Sequence, residues 1–353
     1  MDLPWLVLTA TALGSALLTP LVRRLAVRSG AVDRPGIRHA RGVHKRPLPR
    51  LGGLAIFIAF AVAALVAVGL KDSGDRGILL GGLLIIIVGA IDDFRPLSAK
   101  VKLVFQIAAA LVLVFSGVQI HEFTNPLGGL IFLGVWSIPL TVIWVVGLIN
   151  VVNFIDGLDG LAAGVCSIAS LTLLFVALKQ GQVDDVVLAA ALAGATLGFL
   201  PFNFNPARII MGDSGSMFLG YALAAISVDG LVKSATTVGL VVPVLAMGLP
   251  IFDGFFAIVR RSINHRPVYE ADRGHVHHRL LDLGLSQKQA VLVLYGVSGL
   301  FSAGAILFTE VSPARGLIVL TVLVAAVFVV ARRLGVLEIR TGTSGNQGKH
   351  VKG

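Results

Sequence analysis

The chain is predicted to be an all-α polytopic membrane protein with about eleven transmembrane helices, its N-terminus outside and its C-terminus cytoplasmic. Three observations predict this. Of 353 residues, 56% are hydrophobic and only 14% charged, with a mean hydropathy of +0.90, an excess that no soluble domain of this length needs. Apolar runs of about 20 residues, the length of a spanning helix, fill nearly the whole sequence, and they are continuous rather than alternating, which excludes a β-barrel. The basic residues are also asymmetric. With the N-terminus outside, 24 of the 29 Lys and Arg fall in the inner loops and the C-terminal tail. That bias is the positive-inside pattern, and displacing a single span scrambles it.

The spans follow in order. Leu3–Val22 reads as an uncleaved first span, because no basic residue precedes it and Arg23, Arg24 and Arg28 follow it. Further spans are expected near 51–70, 77–92, 101–119, 130–149, 161–178, 186–202, 215–229, 237–258, 289–308 and 316–331. The fifth is interrupted by Pro126, Gly128, Gly129 and Pro139. In the ninth, Pro243 and Pro250 should bend or break the helix, and Asp253 lies inside it as a candidate ion-pair partner, with Arg260 and Arg261 at its end. Residues 1–332 are expected to form one integral-membrane domain, and residues 333–353 a disordered cytoplasmic tail. The single Cys166 excludes an intrachain disulfide and fits no cysteine-based metal site. The lipid bilayer is the expected surrounding; no nucleic-acid partner is implied.

The unusual chemistry collects in the inner loops. NVVNFIDGLDGLAAG, Asn150 to Gly164, puts Asn150, Asn153, Asp156 and Asp159 at every third position between two apolar runs. Carboxylates beside a bilayer are costly and mark function. Amide and carboxylate oxygens suit a hard cation such as Mg²⁺, and the glycines let backbone approach a ligand. Asp92 and Asp93 close the third span; adjacent carboxylates repel unless a cation or donors compensate, and they suit metal binding or proton abstraction. Lys100, then Lys102, lie close enough to hold phosphate. Gly212–Ser216, GDSGS, opens the eighth span. Its helix N-terminus makes an anion site, and Asp213 would bring a cation to it, so the two suit a metal-bound pyrophosphate. His275, His277 and His278, followed by Arg279, suit phosphate or sugar contact. Lys45, Arg46 and Arg50 sit in the basic stretch before the second span and suit phosphate.

Together these strings resemble the polyprenyl-phosphate N-acetylhexosamine-1-phosphate transferase superfamily, glycosyltransferase family 4. The resemblance covers about residues 30–290 and rests on five motifs in the family's order: Pro49–Gly53, Asp92-Asp93 with Lys100, Asn150–Leu161, Gly212–Ser216 and His275–His278. It implies transfer of a sugar-1-phosphate from a UDP-N-acetylhexosamine to polyprenyl (undecaprenyl) phosphate, with release of UMP, at the cytoplasmic face of the bacterial inner membrane. It implies Mg²⁺, with Mn²⁺ as the substitute, held by Asp213 and Asn153. Asp92 and Asp93 match the family's essential acidic pair, Asp156 and Asp159 its nucleotide-sugar segment, Lys100 a phosphate contact, and His275, His277 and His278 the site's lining. The branch making lipid-linked muramyl-pentapeptide carries three adjacent histidines and then an acidic residue. Here Val276 intervenes and Arg279 follows, which resembles the branch acting on UDP-N-acetylglucosamine to begin O-antigen, teichoic acid or related glycans. The muramyl-pentapeptide reaction is the alternative. A secondary transporter is the rival from another class, since broken helices and intramembrane Asp occur there too. A homodimer stays open, because nothing in the sequence specifies an interface.

Overall fold

The computed structural model describes residues 2–33, 46–124, 129–233, 241–263, 275–311 and 313–333. Helices dominate, in the order α1 (Leu3–Ser29), α2 (Gly52–Ala67), α3 (Ser73–Phe94), α4 (Ala99–Phe115), α5 (Ser137–Ile155), α6 (Leu161–Gln180), α7 (Val183–Asn203), α8 (Gly212–Lys233), α9 (Val241–Ala246), α10 (Gly248–Ile263), α11 (Val276–Asp282), α12 (Gln287–Phe308) and α13 (Pro313–Arg333). Two short antiparallel pairs accompany them: β1 (Val32–Asp33) with β2 (Leu48–Pro49), and β3 (Glu122–Thr124) with β4 (Leu130–Phe132). Among the described residues, six helical segments are long and apolar enough to cross a membrane. The chain is a multi-span, all-α membrane protein.

Each expected span corresponds to helix, with two informative differences. The fifth does not begin at residue 130. Residues 130–132 pair as β4 with β3, a 3₁₀ turn follows at Gly134–Trp136, and the helix runs Ser137–Ile155. The apolar run is thus divided between a strand and a helix, with Pro139 in the first turn of that helix, while Pro126 and Gly128 lie outside the described residues. At its other end this helix continues past residue 149, because Asn150 and Asn153 find partners on neighbouring helices for their amides. The ninth span is two pieces, α9 and α10, with Pro243 and Pro250 each in a first turn, where a missing N–H costs no helical bond. The tail 334–353 lies outside the described residues.

Helix α8 is the centre of the bundle. It packs against α3, α5, α2, α6 and α7. From Met211 to Asp229 every side chain is buried except Asp213. Close approach is bought with glycine: a Cβ on Gly53 would strike the backbone of Gly215, so α2 and α8 touch at their N-termini. A second close pair is α1 with α7. The buried face of α1 is Val7, Thr11, Ser15, Thr19, Val22 and Ala26, a stripe of mostly small residues at helical spacing. Its threonines are satisfied within the helix, Thr11 Oγ1 donating to Val7 O at 2.7 Å and Thr19 Oγ1 to Ser15 O at 2.7 Å, whereas the buried Ser15 Oγ has no hydrogen-bond partner among the described residues. Opposite it, Cβ atoms on Gly194 and Gly198 would strike the carbonyl oxygens of Leu8 and Ala12.

Up-and-down connection has a consequence for the motifs. α3 and α5 end, and α2, α4, α6 and α8 begin, at the same end of the bundle. The motifs therefore share one end without being close in sequence.

Candidate active site

Asp93, in the last turn of α3, is the keystone of this end. Its side chain is fully enclosed. Asp213 N–H donates to its Oδ1 at 2.9 Å, and Ser214 N–H and Oγ donate to its Oδ2 at 3.2 and 2.7 Å. The Arg50 guanidinium adds Nε to Oδ1 at 3.0 Å. Asp93 thus caps α8 from another helix, supplying the anion that a helix N-terminus favours. The sequence reading kept those N–H groups for a pyrophosphate; the structure gives the N–H groups of Asp213 and Ser214 to Asp93. Gly212, at φ +74°, is needed for this contact, since a Cβ there would strike the Asp93 carboxylate.

With its backbone so fixed, Asp213 turns its carboxylate into the opening. Arg50 Nη2 meets its Oδ1 at 3.3 Å and Lys102 Nζ meets its Oδ2 at 2.8 Å. Lys102 also lies 3.5 Å from Asp92 Oδ1, which accepts Leu97 N–H at 2.7 Å. Arg50 stands before α2 and faces Asp33 at 3.9 Å as well. Burial works against its charge, yet the carboxylates of Asp93, Asp213 and Asp33 outweigh burial and raise its pKa. Lys102 is thus the α4 lysine in the carboxylate group; Lys100, expected for phosphate, lies two residues earlier, where it is exposed. Its spacing alone does not separate the two. Lys45 lies outside the described residues.

The α5–α6 connection adds the amides and two more carboxylates. Asn153 Nδ2 donates to Ser216 Oγ at 2.8 Å, which ties α5 to the first turn of α8 and leaves the amide oxygen as an acceptor. Asn150 donates to Gln106 Oε1 at 2.8 Å and to Val146 O at 2.8 Å, so it joins α5 to α4. Gln106 escaped the sequence reading, although a glutamine inside an apolar span was the signal. Asp156 caps the end of α5. Burial and the charges of Asp213, Asp93 and Asp159 push its pKa well above the usual carboxylate range, with Arg50 opposing. Asp159 is occupied structurally: Asn205 Nδ2 at 2.9 Å and Ala207 N–H at 3.0 Å both donate to its Oδ2. It pins the α6 start to the chain after α7.

The histidines approach from α10 and α11. His275 Nδ1 lies 2.9 Å from Asp253 Oδ2, and its ring lies 5.6 Å from His277 at an interplanar angle of 8°. His277 sits on Gly157, where a Cβ would come 2.7 Å from its Nε2, so this segment meets the Asp156–Asp159 loop directly. His278 lies 4.2 Å from His277, ring to ring. Burial and the neighbouring His278 lower the His277 pKa to about 3. Arg279 follows on α11, half-buried.

Asp92, Asp93, Asp156, Asp159 and Asp213 therefore share this end, where Arg50 and Lys102 pair with carboxylates among them. Among the described residues no three His, Cys, Asp or Glu side chains converge enough to hold an ion alone. An oxygen donor set that is acidic yet incomplete fits a hard cation that completes its shell with water and substrate phosphate. Asp213, with the free amide oxygen of Asn153, is the pair that fits.

Similarity to known proteins agrees with this chemistry. Residues 76–231 match the family described as Glycosyl transferase family 4. The chain is 42% identical to the probable undecaprenyl-phosphate N-acetylglucosaminyl 1-phosphate transferase of Bacillus subtilis (strain 168), over 91% of this chain and 89% of that one. It is 37% identical to the decaprenyl-phosphate N-acetylglucosaminephosphotransferase of Mycolicibacterium smegmatis, over 88% and 84%. A phospho-N-acetylmuramoyl-pentapeptide-transferase of Streptococcus pyogenes is 32% identical over 52% of this chain and 60% of its own length.

Proposed function

The chain belongs to glycosyl transferase family 4, and we propose that it transfers N-acetylglucosamine-1-phosphate from the UDP-sugar to undecaprenyl phosphate, releasing UMP and initiating a cell-envelope glycan. The observation that carries the reading is Asp213: the one residue between Met211 and Asp229 that is not buried, fixed by Asp93 and flanked by Arg50 and Lys102. The preference for N-acetylglucosamine over the muramyl-pentapeptide rests on similarity along nearly the whole chain to the first kind of relative and along half of it to the second. A transporter reading has less support, since the motifs gather at one end of the bundle rather than at its middle. That end is assigned to the cytoplasm, with eleven spans, an outside N-terminus and a bacterial inner-membrane location.

Both reactants are anions, so the residues' task is to neutralise charge and hold the groups in line. Asp213 and Asn153 would hold Mg²⁺, or Mn²⁺ in its place, which would polarise the sugar-bound phosphate and favour departure of UMP. Arg50 and Lys102 would draw phosphate oxygens toward Asp213. The lipid phosphate is largely deprotonated near neutrality, so its oxygen attacks the sugar-bound phosphorus directly while the bond to UMP breaks. Asp92, which faces Lys102 and accepts Leu97 N–H, is the group placed to take a residual proton; Asp93, saturated by donors, holds α8. The alternative chemistry, a two-step route through an aspartyl-phosphate, would exchange UMP with donor in the absence of lipid.

The test is purified protein with UDP-N-acetylglucosamine, undecaprenyl phosphate and Mg²⁺, assayed for UMP. Release dependent on both substrates and the cation is expected. No UMP with any UDP-amino sugar would overturn the reading.

A further inference from the structure

Asp253 has no part in the chemistry above, yet it is an ionisable residue buried in the ninth span, its side chain 3% exposed. Both its oxygens serve one segment. Val276 N–H donates to Oδ1 at 2.9 Å, and His275 Nδ1 contacts Oδ2 at 2.9 Å. An ionised carboxylate only accepts, so the ring hydrogen of His275 resides on Nδ1, and in the neutral imidazole Nε2 is left with its lone pair. The ring is also held from the sides. His277 stacks on it at 5.6 Å, Phe154 lies 6.0 Å away, and the Arg261 guanidinium covers Phe154 at 5.4 Å. Through His277 and Gly157 this packing reaches the loop that carries Asp156 and Asp159.

We propose that Asp253 is a positioning residue that acts through His275: it selects the Nδ1–H form, sets the ring plane, and so presents Nε2 to the donor substrate beside the Asp156–Asp159 loop. The proposal rests on the functional reading above for what His275 meets, and on the geometry alone for how His275 is held. A carboxylate that merely fastened α10 to α11 would have no need to dictate which ring nitrogen carries hydrogen.

The experiment is nitrogen-15 NMR of the histidine-labelled full chain, with the His275 signals identified by their loss in His275→Gln. The wild-type protein is expected to show His275 protonated at Nδ1; an Nε2–H form overturns the proposal without any variant. In Asp253→Asn only one of the two acceptor positions, which face Val276 N–H and His275 Nδ1 separately, keeps an oxygen. That oxygen keeps Val276 N–H, the amide NH₂ turns to Nδ1, and the ring hydrogen moves to Nε2. Turnover of Asp253→Asn should fall about 10- to 100-fold in kcat, with KM for the lipid phosphate unchanged. Combined with His275→Gln it should cost nothing beyond His275→Gln alone, since residues acting as a unit are not additive. An unchanged tautomer, or losses that add, overturns the proposal. Should the wild-type protein release no UMP, the functional reading falls and the NMR result alone decides this one.

Discussion

At the scale of single residues, the site separates carboxylates that hold structure from those that turn into the opening. Asp213 turns into it, and in the proposed reaction it would hold the cation. Asp213→Asn keeps the helix and both backbone bonds to Asp93 but removes the charge, and is expected to lower UMP release by at least about 10²-fold with the thermal midpoint little changed. Near-normal turnover would remove Asp213 from the metal site. Asp156 makes the opposite kind of prediction. Its pKa is raised by burial and neighbouring carboxylates, so its contribution to stability is present in acid and is lost as pH rises through the folded-state value. Asp156→Asn should therefore melt higher than the wild type at neutral pH without added cation, while losing activity; a lower melting temperature would sink the argument. His277 runs the other way from a basic group. The folded protein holds its pKa near 3 while the unfolded chain titrates near 6.5. Stability is intact above pH 6.5 and declines as pH falls toward 3, by roughly 2 kcal/mol at pH 5 from this group. His277→Gln should flatten that decline in a pH series of melting curves.

At the scale of elements, the difference between what could be read from sequence and what could not has a physical cause. Helices were readable because a bilayer demands continuous apolar segments, and the eleven expected spans all correspond to helix. The β3–β4 pair was not, because Leu130–Phe132 is as apolar as a span and reads as the start of one. The Asp93 cap was not readable either. Asp92 and Asp93 are adjacent and alike in sequence, yet helical rotation sends one to the rim and the other under the α8 N-terminus. Asp93→Ala would leave Arg50 Nε and the N–H groups of Asp213 and Ser214 without their acceptor, and is expected to cost about 3–5 kcal/mol. Asp92→Ala should cost much less, because it leaves the α8 N-terminus capped by Asp93 and Lys102 still paired with Asp213. Equal losses in chemical or thermal unfolding would contradict the division of labour between them. The α1–α7 contact was likewise hidden: Gly194 and Gly198 are spaced by four, the period that lets backbones touch, but nothing in the sequence says which helix lies opposite.

At the scale of the whole molecule, the parity of the bundle and the distribution of charge point to the same face. The motifs lie where α3, α5 and α7 end and α2, α4, α6 and α8 begin, so one orientation of the chain places them all on one side. In the proposed orientation, the positive-inside bias puts that side in the cytoplasm. Of the residues at the opposite end, Lys71 and Lys179 are among the few basic ones, whereas Arg208 and Lys288 lie with the motifs. The single Cys166 is buried, so cysteines introduced elsewhere report without background. In intact cells, Lys71→Cys and Lys179→Cys are expected to react with a membrane-impermeant maleimide, and Arg208→Cys and Lys288→Cys only after permeabilisation. The reverse pattern would put the site outside, away from cytoplasmic UDP-sugars, and would remove the orientation on which the proposed reaction depends. A mixed pattern, with Lys71 and Lys179 on different sides, would instead break the parity of the spans between them. Charge distribution and helix order are independent constraints, so agreement of all four labels would test both at once.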